Sequence, residues 1–179
     1  MLPQAVRYVL ERLEDAGFAA YAVGGCVRDT LLGRVPQDWD VATSARPEQT
    51  AALFAGRSIP TGLQHGTVTV RQEGLSVEVT TFRADGPYSD HRRPDAVYFS
   101  DSLAEDLCRR DLTVNAMAMD RRGVLTDLHG GRELSAKPEE ERRKALVDYA
   151  LPLNEKRLEE DLLKYRIKYD NWFKESTLH

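Results

Sequence analysis

Two aspartates on alternate residues, Asp38 and Asp40 in "QDWDVAT", follow closely on a glycine pair and an Arg-Asp pair in "YAVGGCVRDTLLG". Alternate residues of a strand face the same way, so both carboxylates can reach one divalent cation while Trp39 faces the other side. Mg²⁺ prefers oxygen ligands and usually shares itself with substrate phosphates. Gly24 and Gly25 fall between a predicted strand and a predicted helix, where the backbone can approach a bulky group and free N–H groups at the helix start suit a phosphate. Arg28 adds a charged fork for the same anion. A tight turn with Arg28 paired to Asp29 would explain the glycines, but not the carboxylate pair that follows them. Glu78, in "SVEVTTF", is a candidate third carboxylate if its strand lies beside residues 38–42.

The elements that must position these residues read as an α/β pattern up to about Gly131. "LPQAVRYVLERLEDAG" places Val6, Val9, Leu10 and Leu13 on one helical face and stops at Gly17. "AAYAV" and "WDVAT" read as strands, with "VRDTLLG" a short helix between them. "PEQTAALFAG" opens with Pro47 in its first turn and ends at Gly56, as a helix should. "GTVTVRQ" and "LSVEVTTF" alternate with period two and join through Glu73-Gly74, which predicts a hairpin. Residues 84–100, with two prolines and no period, read as a long mobile loop. "DSLAEDLCRR" restarts a helix capped by Asp101 or Ser102, and "LTVNAMAMD" and "GVLTDL" are strand-like.

All 12 glycines lie at or before Gly131, whereas charged side chains crowd residues 133–179. That change marks a boundary between residues 1–131 and 132–179. Beyond it the pattern predicts two amphipathic helices, "KPEEERRKALVDYAL" and "LNEKRLEEDLLKY", separated at Pro152, and then a strand-like "RIKYDNWF". Leu146, Tyr149 and Ala150, then Leu158, Leu162 and Tyr165, form apolar stripes at helical spacing. At 179 residues and 41% hydrophobic content the chain is expected to build a globular core. It carries no membrane-spanning run and no signal-peptide layout at its start, so a cytoplasmic location is expected. Cys26 and Cys108 suit neither a disulfide framework nor a zinc site and read as buried thiols. A net charge of −4 argues against a uniformly basic nucleic-acid coat, though Arg92-Arg93, Arg109-Arg110 and Arg121-Arg122 are local basic pairs.

Taken together, "VGGCVRDTLLGRVPQDWDVAT", "EVTTFR" (78–83) and "RRDLTVNAMA" (109–118) resemble the head domain of class II tRNA nucleotidyltransferases, the CCA-adding enzymes, and their poly(A) polymerase relatives. The resemblance covers roughly residues 1–131. It implies an α/β (α+β) fold of the polymerase-β nucleotidyltransferase type, whose mixed sheet carries two metal-binding aspartates, with a short helical extension after it. It also implies transfer of CMP or AMP from CTP or ATP to an RNA 3′ hydroxyl, with release of pyrophosphate. By position, Asp38 and Asp40 correspond to the Mg²⁺ ligands, and Gly24, Gly25, Arg28 and Asp29 to the phosphate-holding motif. Arg110, Asp111 and Asn115 correspond to the motif that contacts the incoming nucleotide and its ribose. Glu78 joins the catalytic set on the strand argument alone.

The resemblance stops in "DLHGGRELSA" (127–136), which keeps Asp127, Gly130 and Gly131 but lacks the Asp-Leu expected next. The family's base-reading E-D-x-x-R signature has only an echo in "EDLLKYR" (160–166), with Lys164 in the arginine's place. Residues 145–179 instead resemble an internal piece of arginyl-tRNA synthetase without its ATP-binding signatures, so the chain reads as a chimera of two genes. Two functions are therefore expected to compete. One is a truncated nucleotidyltransferase head that binds Mg²⁺ and a nucleoside triphosphate, with the tRNA 3′ end as partner. The other is a catalytically silent module that self-associates through its C-terminal helices.

Overall fold

The computed structural model describes residues 2–62, 65–84, 98–110, 112–164 and 166–168. The chain divides into two compact units, Met1–Ala136 and Lys137–His179. The first is a mixed α/β domain, as expected. Its first helix, α1 (Gln4–Asp15), buries Val6, Val9, Leu10 and Leu13. It closes where Gly17, at φ 86°, lets the Phe18 N–H return to the Leu13 carbonyl. There follow β1 (Ala20–Val23), α2 (Gly25–Leu31), β2 (Trp39–Thr43), α3 (Pro47–Leu53), β3 (Ser58–Gly62), β4 (Thr67–Gln72) and β5 (Leu75–Thr81). Glu73 and Gly74 both take positive φ, the two-residue turn whose twist matches a β-hairpin, and they join β4 to β5.

After β5 come β6 (Arg83–Ala84), β7 (Tyr98–Phe99), α4 (Leu103–Cys108), a 3₁₀ turn (Thr113–Asn115), β8 (Met117–Met119), β9 (Leu125–Asp127) and α5 (Gly131–Ala136). The main sheet runs β3-β4-β5-β2-β1-β8-β9. Only β2 and β5 pair in parallel; the other neighbours are antiparallel. Trp39 and Val41 of β2, with Val77 and Val79 of β5, face the large core built on α1. The opposite face is covered by a smaller cluster of Val23, Ala42, Phe82, Leu107 and Ala118. Asp40 and Glu78 alternate with the core residues, so they fall on this thinly covered face.

Several expectations change. The segment read as a loop over 84–100 is pinned at its ends, since Arg83–Ala84 pairs with Tyr98–Phe99; residues 85–97 lie outside the described residues. "LTVNAMAMD" is not continuous strand, because the Ala116 N–H bonds back to the Thr113 carbonyl and makes a 3₁₀ turn before β8. Strand β3 escaped the reading because "SIPTG" has no alternation; it sits at the sheet edge, where Pro60 is tolerated. In the second unit the two predicted helices are one, α6 (Glu139–Lys164), with Pro152 inside it. A mid-helix proline costs about 3 kcal/mol, and here the flanking Glu, Lys, Leu and Arg residues, all strong helix formers, carry the helix through. Residues 166–168 are not strand, and the rest of "RIKYDNWF" lies outside the described residues. Tyr165, on the second apolar stripe, also lies outside them.

Candidate active site

Asp40 sits in β2 with Glu78 directly beside it, since the parallel register pairs Asp40 with Glu78 and Trp39 with Val77. Asp38 precedes the strand and is exposed, while Trp39 between the two aspartates is buried. Burial raises the Asp40 carboxyl above its ordinary value, and the charges of Glu78 and Asp38 push it further; Arg110 works in the opposite direction. Two carboxylates crowding a third that is partly dehydrated favour a cation. Among the described residues no group of three or more His, Cys, Asp or Glu side chains converges to hold a metal by itself. A Mg²⁺ held by Asp38 and Asp40 that completes its shell with substrate oxygens fits both observations.

Two pockets meet at Asp40. One, of about 280 Å³, is lined by Gly25, Arg28, Asp29, Gln37, Asp38 and Asp40. The other, of about 470 Å³, is lined by Asp40, Glu78, Thr67, Thr80 and the arginines 83, 109 and 110. Asp38 and Asp40 thus border the same pocket as the glycine turn.

That turn forms because Gly24 takes φ 79° and ψ −140°, a backbone shape open to glycine. A Cβ there would lie 3.3 Å from Arg110 Nη1 and 3.8 Å from Asp40 Oδ2, so the glycine also makes room for the Arg110 guanidinium. The Gly24 N–H, expected to be available to a phosphate, instead donates to the Met117 carbonyl at 3.2 Å and closes β1 onto β8. Arg28 donates through Nε to Asp29 at 2.9 Å and through Nη1 to the Asn115 side-chain oxygen at 2.9 Å. The pairing with Asp29 is therefore real, yet Arg28 still lines the pocket with Asp38 and Asp40.

Asn115 is brought to Arg28 by the "DLHGG" segment. The Asp127 carboxylate accepts N–H bonds from Gly131 and Arg132, both at 2.9 Å, and starts α5. Burial raises the Asp127 carboxyl, but these backbone donors outweigh it and hold it below the usual carboxylate range. A side chain at Gly131 would fall on the Thr113 carbonyl, so glycine lets α5 press against the 3₁₀ turn that carries Asn115. Asp111 lies outside the described residues.

Sequence reasoning missed Asp106, Arg83 and Arg109. Asp106 is 1% exposed and accepts hydrogen bonds from Arg109, from Arg110 Nη2 at 3.0 Å and from the Arg83 backbone N–H at 3.1 Å. The readable signal was the spacing: Asp106 precedes Arg109 and Arg110 by three and four residues, one helical turn. The cysteines divide. Cys26 is buried and its thiol is pushed up to about 11, chiefly by burial, so it serves packing. Cys108, expected to be buried, is exposed at the end of α4, with Sγ 3.7 Å from His129 Nε2.

Fold and site define a domain with two adjacent carboxylates on one face of a mixed sheet, next to a glycine turn and an arginine cluster. Residues 20–137 match the poly A polymerase head domain family, and the chain belongs to that family. It is 59% identical over 123 residues to a CCA-adding enzyme of Lactobacillus delbrueckii subsp. bulgaricus, an alignment covering 69% of this chain and 31% of that protein. It is 54% identical over 125 residues to the CCA-adding enzyme of Geobacillus kaustophilus, covering 70% of this chain and 31% of that one. Among solved structures, the Bacillus stearothermophilus CCA-adding enzyme in complex with CTP superposes with a TM-score of 0.67 at 47% identity, over 75% of this chain and 32% of that one. A tRNA nucleotidyltransferase complexed with a primer tRNA and an incoming ATP analog superposes with a TM-score of 0.55 at 32% identity, over 71% and 36%. The chain thus spans about a third of the length of the relatives it matches.

Proposed function

We propose that this head domain binds Mg²⁺ and a nucleoside triphosphate and carries out transfer of CMP or AMP from CTP or ATP to the 3′ hydroxyl of tRNA. The observation that carries the reading is the pairing of Asp40 with Glu78, with Asp38 beside them on the rim of the pocket that holds Gly25 and Arg28. The acceptor hydroxyl gives up its proton to solvent, its oxygen bonds to the α-phosphorus, the bond to the bridging oxygen breaks, and pyrophosphate leaves. Bound at Asp38 and Asp40, Mg²⁺ would lower the pKa of the attacking hydroxyl and neutralise charge on the leaving group. Arg28, steadied by Asp29 and Asn115, orients the triphosphate, and Arg110 contacts the nucleotide, a role the family motif also gives to Asp111. The relatives, which are CCA-adding enzymes, lend no support to a catalytically silent module.

The test is incorporation of labelled CTP or ATP into a tRNA lacking its 3′ end. Metal-dependent incorporation that Asp40→Ala abolishes supports the reading; incorporation that persists in Asp40→Ala refutes it. The cell compartment that fits such substrates is the cytoplasm. Among the described residues no helix is long and apolar enough to cross a membrane. The extension, whatever its kinship to arginyl-tRNA synthetase, has no aminoacylation role in this reading. Its α6 leaves Val147, Leu151, Leu158 and Leu163 at 36% exposure or more, and pairing with a second copy of the chain would cover them.

A further inference from the structure

The pocket of about 470 Å³ is lined by three arginines, Arg83, Arg109 and Arg110; the guanidinium groups of Arg109 and Arg110 donate to one buried carboxylate, Asp106, to which Arg83 donates its backbone N–H. Asp106 accepts from only two of these guanidinium groups, and that of Arg83 has no carboxylate bonded to it among the described residues, while Asp40 and Glu78 line the same pocket. Burial and the charges of Arg109 and Arg110 disfavour the Arg83 cation, against the pull of Asp106. The Nε atoms of Arg83 and Arg110 are buried with no hydrogen-bond partner among the described residues. Arg83 Nη2 has a bond to the Thr67 hydroxyl at 3.3 Å. Such crowding of cations with unpaired donors suits an anion, and phosphate oxygens match the guanidinium fork.

Position decides which phosphate. Asp40 lies on the walls of both pockets, so it stands between the glycine turn with Arg28 and the arginine cluster. In phosphoryl transfer the attacking and leaving oxygens are roughly in line through the phosphorus. A triphosphate held on the Arg28 side therefore leaves the Glu78 and Arg83 side for the attacking strand. Resting on the function proposed above, we infer that Arg83 and Arg109, with the Thr67 and Thr80 hydroxyls, bind the last phosphodiester group of the acceptor RNA. The pocket thereby sets the 3′ hydroxyl beside Asp40 and Glu78.

The experiment titrates the full chain, in Mg²⁺, with a short fluorescent single-stranded RNA ending in a 3′ hydroxyl, and separately with ATP. Arg83→Gln is expected to weaken RNA binding about tenfold, the loss of one charge-assisted contact. It should also flatten the salt dependence by about 0.7 in log–log slope, as for one phosphate contact on a single strand, and leave ATP affinity within about twofold. Arg83→Lys, which keeps the charge but not the fork, should retain the salt slope and lose several-fold in RNA affinity. It serves as the decisive variant if Arg83→Gln does not fold. Unchanged RNA affinity in both variants overturns the inference. An equal loss for ATP and RNA also overturns it and assigns the cluster to the triphosphate. Wild-type protein that binds ATP but not RNA sinks this inference alone, whereas binding of neither sinks the proposed function with it.

Discussion

Replacing Asp106 by alanine removes the carboxylate that holds the Arg109 and Arg110 side chains and the Arg83 backbone N–H. Asp106 is 1% exposed, and it accepts from both Arg109 and Arg110 side chains and from the Arg83 backbone. Breaking a buried ion pair by deleting one partner costs about 3–5 kcal/mol, because the opposite charge stays behind without compensation. Here the Arg109 and Arg110 side chains are 22% and 20% exposed, so water relieves part of that cost and the low end, about 3 kcal/mol, applies. For a domain of this size each kcal/mol moves Tm by roughly 2–4 °C, which gives a fall of roughly 6–12 °C. Asp106→Asn, which keeps an acceptor but not the charge, should fall between.

The pH dependence follows from the carboxyl's own shift. Burial raises it, but the hydrogen bonds from Arg109 and the charges of Arg110 and Arg109 outweigh that and hold Asp106 below its ordinary value of 3.8. A depressed carboxyl stabilises the fold above its unfolded value, and that contribution is lost as pH falls through the folded value. Circular-dichroism melts of wild type and Asp106→Asn should thus differ fully at pH 7 and converge in acid below about pH 4. An Asp106→Ala protein that melts within 2 °C or so of wild type at pH 7, or a gap to Asp106→Asn that does not narrow in acid, refutes this account of the cluster.

Asp40 should behave in the opposite sense: its raised carboxyl makes the fold lose stability as pH rises through the folded value. In metal-free buffer at pH 7, Asp40→Asn is expected to melt higher than wild type while nucleotide incorporation is abolished; a lower Tm would contradict the repulsion from Glu78 and Asp38. Gly24→Ala should cost about 1–3 kcal/mol in a chemical denaturation, since its backbone shape is strained for any side chain, and should weaken ATP binding by displacing Arg110; unchanged stability and binding would remove the role given to this turn. Gly131→Ala, which meets the Thr113 carbonyl, is expected to loosen Asn115 from Arg28 and lower ATP affinity, checked by titration calorimetry. Light scattering should show a concentration-dependent dimer that Leu151→Glu and Leu158→Glu abolish; a monomer at every concentration would end the pairing proposed for α6.

What is local was legible in the chain itself. The α1 stripe of Val6, Val9, Leu10 and Leu13 follows from helical period alone, and Glu73-Gly74 announced a tight hairpin because both positions must take positive φ. The alternation Asp38, Trp39, Asp40 put a buried ring between two acids at the start of β2, whatever the strand's neighbours. Who those neighbours are was not local. Glu78 reaches Asp40 because β2 and β5 pair in parallel, and their register is fixed by Trp39 and Val41 sharing the core with Val77 and Val79; a slip of one residue in either strand would send that strand's acid into the core. The junctions of Arg28 with Asn115 and of Asp106 with Arg83 span 87 and 23 residues, distances over which periodicity carries no information. Pro152 shows the reverse case, where a local breaker lies inside a continuous helix, α6. Charge, helical stripe and tight turn are written residue by residue along the chain; the pairing of β2 with β5 decided which charges meet, because burying two apolar faces in one core outweighs the repulsion of the acids it brings together.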